Sequence, residues 1–128
     1  MTIVTLHAAG RAAPDEAWER YADPGRWPQW APQITRVETD EARLVTGMTG
    51  RVVGPLGVSV RFVVDEVDHV GRTWSWTVHA GPVQLLLHHA VRADPGGSAT
   101  SLRVEGPLPV VLPYAPLARY ALTRLVAA

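Results

Sequence analysis

The 128-residue chain has no cysteine, and all 12 of its basic side chains are arginine. It holds neither lysine nor asparagine, isoleucine occurs only at Ile3 and Ile34, and Phe62 is the single phenylalanine. Each absence removes a class of chemistry. Without cysteine there is no disulfide framework, thiol nucleophile, thiolate zinc site or iron–sulfur cluster. Without lysine no side-chain Schiff base forms and no phosphate-cradling lysine loop is available. Lysine, asparagine and isoleucine share A/T-rich codons, so a GC-rich genome accounts for their scarcity without reference to function.

Charge is equally uninformative about polymers. Twelve acidic and twelve basic side chains give a net charge of zero, with no basic footprint of the kind a nucleic-acid partner requires. No apolar run approaches the roughly 20 residues of a membrane span. The start, Met1-Thr2-Ile3-Val4, lacks the basic and apolar regions of a signal peptide. A single cytoplasmic domain over residues 1–128, monomeric or homodimeric, is expected, and its 47% hydrophobic content is ordinary for a globular protein.

What is present is ordered. Ile3 to Ala8 reads as a strand. Pro14 opens a helix through Ala22, with Asp15 and Glu16 at its positive end and Trp18, Tyr21 and Ala22 on one face. A short helical or turn segment rich in tryptophan and proline follows, Arg26 to Pro32. The period then changes to two. Strands are expected at Ile34–Asp40, Leu44–Gly54, Val58–Asp68, Arg72–Ala80, Val83–Ala93 and Ser98–Glu105. Gly54-Pro55-Leu56-Gly57 signals a hairpin. In the third of these strands the alternation slips before Val67, as a bulge would cause, which leaves the direction of Glu66 open. Pro113 and Pro116 then lead into a helix through Leu117 to Val126, three to four turns or about 20 Å with Tyr114 at its start, and Tyr114, Leu117, Ala118, Ala121, Leu122 and Leu125 form its apolar stripe. An antiparallel sheet with one apolar face must cover that face. The expected fold is therefore α+β: a curved antiparallel sheet of six to seven strands gripping a C-terminal helix, with two short helices after the first strand.

Ala13-Pro14-Asp15-Glu16-Ala17-Trp18, Trp27-Pro28-Gln29-Trp30-Ala31-Pro32, the Trp74-Ser75-Trp76 strand and the His-containing strand ending at Asp94-Pro95-Gly96-Gly97 follow one another in order. In that order and spacing, over essentially the whole chain, the sequence resembles the START-like, polyketide cyclase/dehydrase and lipid-transport superfamily with the helix-grip fold. The resemblance implies a cavity between sheet and terminal helix for an apolar or polycyclic small molecule. The short terminal helix makes that cavity smaller or more open than is usual in the family.

The candidate ligand-binding residues are Trp27, Trp30, Phe62, Trp74, Trp76, Leu85, Leu87 and Leu117. Flat rings suit an apolar ligand, and core packing explains the same rings. His89 shares the apolar face with Leu87 and Val91, and His88 points the other way. His89 and Tyr114 are the candidate catalytic pair, as general acid/base and weak acid or carbonyl-orienting hydroxyl. A hydrogen-bonded core histidine and a packed tyrosine are the competing readings. Adjacent histidines on a strand diverge, so no metal site is expected, and no cofactor is called for. Aromatase/cyclases of the resembled family are held to use a pocket arginine with a tyrosine. Here Tyr114 matches the tyrosine, but Arg61 and Arg103 fall on the outward face. The expected function is binding of an apolar ligand with polyketide cyclase/dehydrase-like turnover by confinement and proton transfer. The alternatives are carriage of a lipid, quinone or similar molecule, and a regulatory partner role.

Overall fold

The computed structural model describes residues 1–128. Seven strands form one antiparallel sheet: β1 (Thr2–Gly10), β2 (Arg36–Thr39), β3 (Thr49–Val53), β4 (Ser59–Asp68), β5 (Thr73–Ala80), β6 (Val83–Asp94) and β7 (Gly97–Gly106). Three α-helices accompany them: α1 (Pro14–Ala22), α2 (Trp27–Trp30) and α3 (Leu108–Leu125). The strand order β1-β7-β6-β5-β4-β3-β2 makes β2 to β7 a meander, closed at one edge when β1 pairs with β7. The helices and one sheet face share a single core, as the helix-grip arrangement requires.

Helix α1 shows how the local sequence builds the grip. Its last four carbonyls have no partner within the helix and must find one elsewhere. Asp23 donates its backbone N–H to Glu19 O at 3.0 Å, and Leu44 donates to Ala22 O at 2.9 Å. The other two carbonyls are capped by indoles. Trp30 Nε1 donates to Arg20 O at 2.9 Å and Trp27 Nε1 donates to Tyr21 O at 2.8 Å. Each tryptophan thus buries its ring while its one polar atom completes the helix above it. The C-terminus of α3 is closed by a cation instead: the Arg20 guanidinium donates to Leu125 O and Ala127 O, both at 2.6 Å. A positive charge there also opposes the negative end of the helix dipole.

Two expectations need correction. The second and third strands are shorter than their apolar pattern suggests, because the chain from Asp40 to Met48 leaves the ladder. There Leu44 and Met48 are buried in the core from a loop. The hairpin expected at Gly54-Pro55-Leu56-Gly57 is present: β3 and β4 pair antiparallel with Val53 opposite Ser59, joined by a short 3-10 turn at Pro55–Gly57 with Leu56 in the left-handed region at φ 64°. The larger difference is α3, which begins at Leu108 rather than near Tyr114 and spans 18 residues, about 27 Å. Pro113 and Pro116 lie inside it. A proline leaves the carbonyl four residues earlier unpaired. Here those carbonyls belong to Pro109 and Leu112, which, like both prolines, lie on the exposed side. Their exposed position leaves them open to solvent, and the helix continues.

The expected slip in β4 is a register shift between Val64 and Glu66. Glu66 stands opposite Ser75, on the outer face and exposed, while Phe62 and Val64 stay buried. Where β1 ends, a Cβ on Gly10 would collide with the backbone carbonyl of Val126. That close approach clamps β1 to the end of α3, and Ala12 N donates to the same carbonyl at 3.0 Å. Gly10→Ala is expected to lower the unfolding free energy by about 2 kcal/mol, as overpacking does. Gly96→Ala, where a Cβ meets nothing within 4 Å, is the control and should be neutral. Urea titrations of the two variants decide it, and equal stabilities would remove the clamp.

Candidate functional site

Between the concave face of the sheet and α3 lies a cavity of about 190 Å³. Trp76 and Val78 of β5, Leu85 and Leu87 of β6 and Leu102 of β7 line the sheet side. Ala118, Ala121 and Leu122 line the helix side, and Trp30 and Ile34 close one flank. The cavity reaches the surface beside Gly54 and Val58, the latter 64% exposed. Apart from Gln33, His89 and Tyr114, every side chain in the wall is a hydrocarbon or a tryptophan.

The sequence-predicted site residues divide. Trp30, Trp76, Leu85, Leu87, His89 and Tyr114 stand in this wall. Trp27, Phe62 and Trp74 are buried but do not line it. They pack on one another and on Trp76: Trp27 stacks on Trp74 at 5.5 Å, and Trp74 lies 5.1 Å from Trp76. Phe62 meets Trp27 at 5.8 Å and Trp76 at 5.5 Å. This aromatic cluster fills one side of the grip that the sequence assigned to a ligand, so parity located the correct face but not the empty part of it. Leu117 is 40% exposed and lies one position off the buried stripe of α3. Ala118, Ala121 and Leu122 face the cavity instead. Val60, Val78 and Leu102 carried the same alternating signal as the chosen residues. Gln33 sits in a turn, where no periodicity marks it.

His89 is only 6% exposed and both its ring nitrogens are engaged. Trp76 Nε1 is 3.0 Å from His89 Nε2, and His89 Nδ1 is 3.1 Å from the Tyr21 hydroxyl. Tyr21 Oη is 2.9 Å from Thr100 Oγ1, which is 2.9 Å from Ala90 O. The two ends set the direction of the chain, since an indole only donates and a carbonyl only accepts. Thr100 donates to Ala90 O, Tyr21 donates to Thr100, His89 Nδ1–H donates to Tyr21, and Trp76 donates to His89 Nε2. The imidazole is therefore neutral, with its proton on Nδ1. Burial, reinforced by neighbouring His88, lowers its pKa to about 3. Its ring stacks on Trp74 at 4.6 Å with 10° between the planes. His88 points away and meets Glu105 at 3.1 Å on the outer face.

Tyr114 enters the wall from α3. Burial pushes its phenol up to about 12, and the side chain of Gln33 beside it offsets part of that rise. Gln33 Oε1 is shut off from solvent and has no hydrogen-bond partner. No group of three or more His, Asp or Glu side chains is placed to hold a metal ion.

The family described as "Polyketide cyclase / dehydrase and lipid transport" matches residues 1–128. The chain belongs to that family. No curated protein matches it in sequence. Among solved structures it is similar to Ara h 8.0201, at 15% identity and a TM-score of 0.77, covering 98% of this chain and 95% of that one. XoxI of Bacillus cereus superposes with a TM-score of 0.78 at 15% identity, over 98% of this chain and 93% of that chain. DynU16, a protein of the dynemicin biosynthetic locus, shares 19% identity with a TM-score of 0.75. That likeness covers 97% of this chain and 45% of DynU16. At such identities these likenesses show the shared fold alone.

Against the arginine and tyrosine pair that the family resemblance implies, this member of the polyketide cyclase/dehydrase and lipid transport family has Tyr114 in its cavity wall and no arginine. No helix in it is long and apolar enough to cross a membrane. The neutral His89 has a measurable consequence. Its folded pKa lies below its unfolded value, so the unfolded chain binds the extra proton and stability falls as the pH drops below about 6.5. Between pH 8 and pH 5 this one group should cost about 2 kcal/mol, a figure set by the unfolded pKa once the folded one lies well below 5. Guanidinium unfolding of wild type and His89→Gln at both pH values measures the difference. A variant that loses as much stability as wild type on acidification would show that His89 is already charged in the folded protein.

Proposed function

We propose that the protein binds a small apolar molecule of one or two rings in the cavity between the sheet and α3. The observation that carries this reading is the wall itself: hydrocarbon and indole surfaces with no charged side chain in it. Burial of apolar area in such a site is favourable at roughly 25 cal/mol per Å². An apolar protein cavity of about 150 Å³ accepts benzene, so the somewhat larger space here, with its open end, suits one or two rings. A ligand of more rings meets the Trp27, Phe62 and Trp74 cluster.

The same geometry favours holding over proton transfer. A general base needs a free lone pair near the substrate, and His89 Nε2 already accepts from Trp76. Its low pKa makes it a poor base at neutral pH, and the Tyr114 phenol is a weaker acid than usual. Carriage or sequestration of the ligand follows most directly.

Turnover of a polyketide-like chain by confinement is the second reading. It is favoured by the Tyr114 hydroxyl in the wall, which can orient a carbonyl, and by the family to which the chain belongs. DynU16 comes from a biosynthetic locus, which is compatible with either role.

Ala118 points into the cavity from α3 and is 2% exposed. Ala118→Phe should fill the space, leave unfolding stability within about 1 kcal/mol, and weaken naphthalene binding at least tenfold by calorimetry. Unchanged affinity in a folded Ala118→Phe protein would place the ligand elsewhere.

A further inference from the structure

Three buried side-chain polar atoms lack a hydrogen-bond partner: Gln33 Oε1, Trp74 Nε1 and Ser98 Oγ. Only Gln33 belongs to the wall of the apolar cavity. A buried acceptor without a donor is costly, so a native chain retains one where something else supplies the donor. Gln33 sits beside Gly54, where an added Cβ would lie 3.1 Å from Gln33 O. That places its backbone at the open end of the cavity, and its side chain stands in the wall beside Tyr114 of α3. At His89 the demand for polar partners is already met, since its ring nitrogens are committed to Trp76 and Tyr21. The wall therefore offers polar contact at one place, toward the mouth.

We propose that Gln33 and Tyr114 form the head-group subsite of this cavity and select a neutral ligand bearing a hydroxyl, alcohol or phenol, on an otherwise apolar ring system. The assignment rests on the reading that the cavity binds a small apolar molecule. A hydroxyl both donates and accepts, so one such group donates to Gln33 Oε1 and accepts from the Tyr114 O–H. An ether or ketone accepts only and leaves Gln33 Oε1 unpaired. A carboxylate finds no cation in the wall and loses its hydration without replacement. The ligand enters ring first, its body against Trp76, Leu87 and Leu102, with its hydroxyl held near the mouth.

Four probes test this by isothermal titration calorimetry: naphthalene, 2-methoxynaphthalene, 2-naphthol and 2-naphthoate. Wild type should bind 2-naphthol roughly tenfold more tightly than naphthalene or 2-methoxynaphthalene, the size of one neutral hydrogen bond to a buried partner, and 2-naphthoate most weakly. In Gln33→Leu the ratio of 2-naphthol to naphthalene affinity should collapse to near one, and its melting temperature should be no lower than that of wild type. Tyr114→Phe should remove part of the preference. Equal binding of 2-naphthol and naphthalene by wild type overturns the head-group assignment but leaves the cavity reading standing. So does a preference that survives in Gln33→Leu. Failure of every probe to bind overturns the cavity reading, and this assignment with it.

Discussion

A line of hydrogen bonds from Trp76 through His89 and Tyr21 to Thr100 holds the middle of this molecule together. It ties α1 to β5, β6 and β7 inside the core. Its members are individually unfavourable to bury, and each is tolerated because the next satisfies it. The direction of the chain forces a neutral imidazole. That in turn removes the one ionisable group that the sheet would otherwise present to the cavity. The core can then be apolar throughout, with a histidine near its centre.

The same economy runs through the helices. Trp27 and Trp30 close the free carbonyls of α1 with their indole N–H groups and bury the rest of their surface. Arg20 reaches from α1 to the last carbonyls of α3. A short helix, a long helix and the sheet are thus joined by side chains that each serve two elements. What remains unfilled is a modest space bounded by Trp30, Trp76 and α3. Its size is decided by how much of the grip the aromatic cluster takes up. The chemistry left in its wall is one committed imidazole, one phenol and one amide.

Much of the architecture was legible in the residues. Alternation placed Trp74, Trp76, Leu85, Leu87 and His89 on the concave face, because successive side chains on a strand must diverge. The break in β4 before Val67 showed as a bulge for the same reason. Pro14 with Asp15 and Glu16 marked the start of α1 through the needs of free N–H groups. The start of α3 was hidden, since Pro113 and Pro116 read as breakers until their exposed side is seen. The loop position of Leu44 was hidden as well, because an apolar residue signals burial and not the element that carries it.

The sequence by itself determined the fold class, the inward face of each long strand and the absence of thiol and lysine chemistry, since these follow from residue identity and from neighbours one to four positions apart. Tertiary structure alone decided which aromatic rings are packing and which are wall, that both nitrogens of His89 are occupied, and that Gln33 joins the cavity wall with its Oε1 unpaired. Those outcomes depend on atoms brought together across 13 to 79 positions of chain, as in Trp76 with His89 and Tyr21 with Thr100. No local period encodes such distances. Only the closing of α1 and α3 over the sheet sets them.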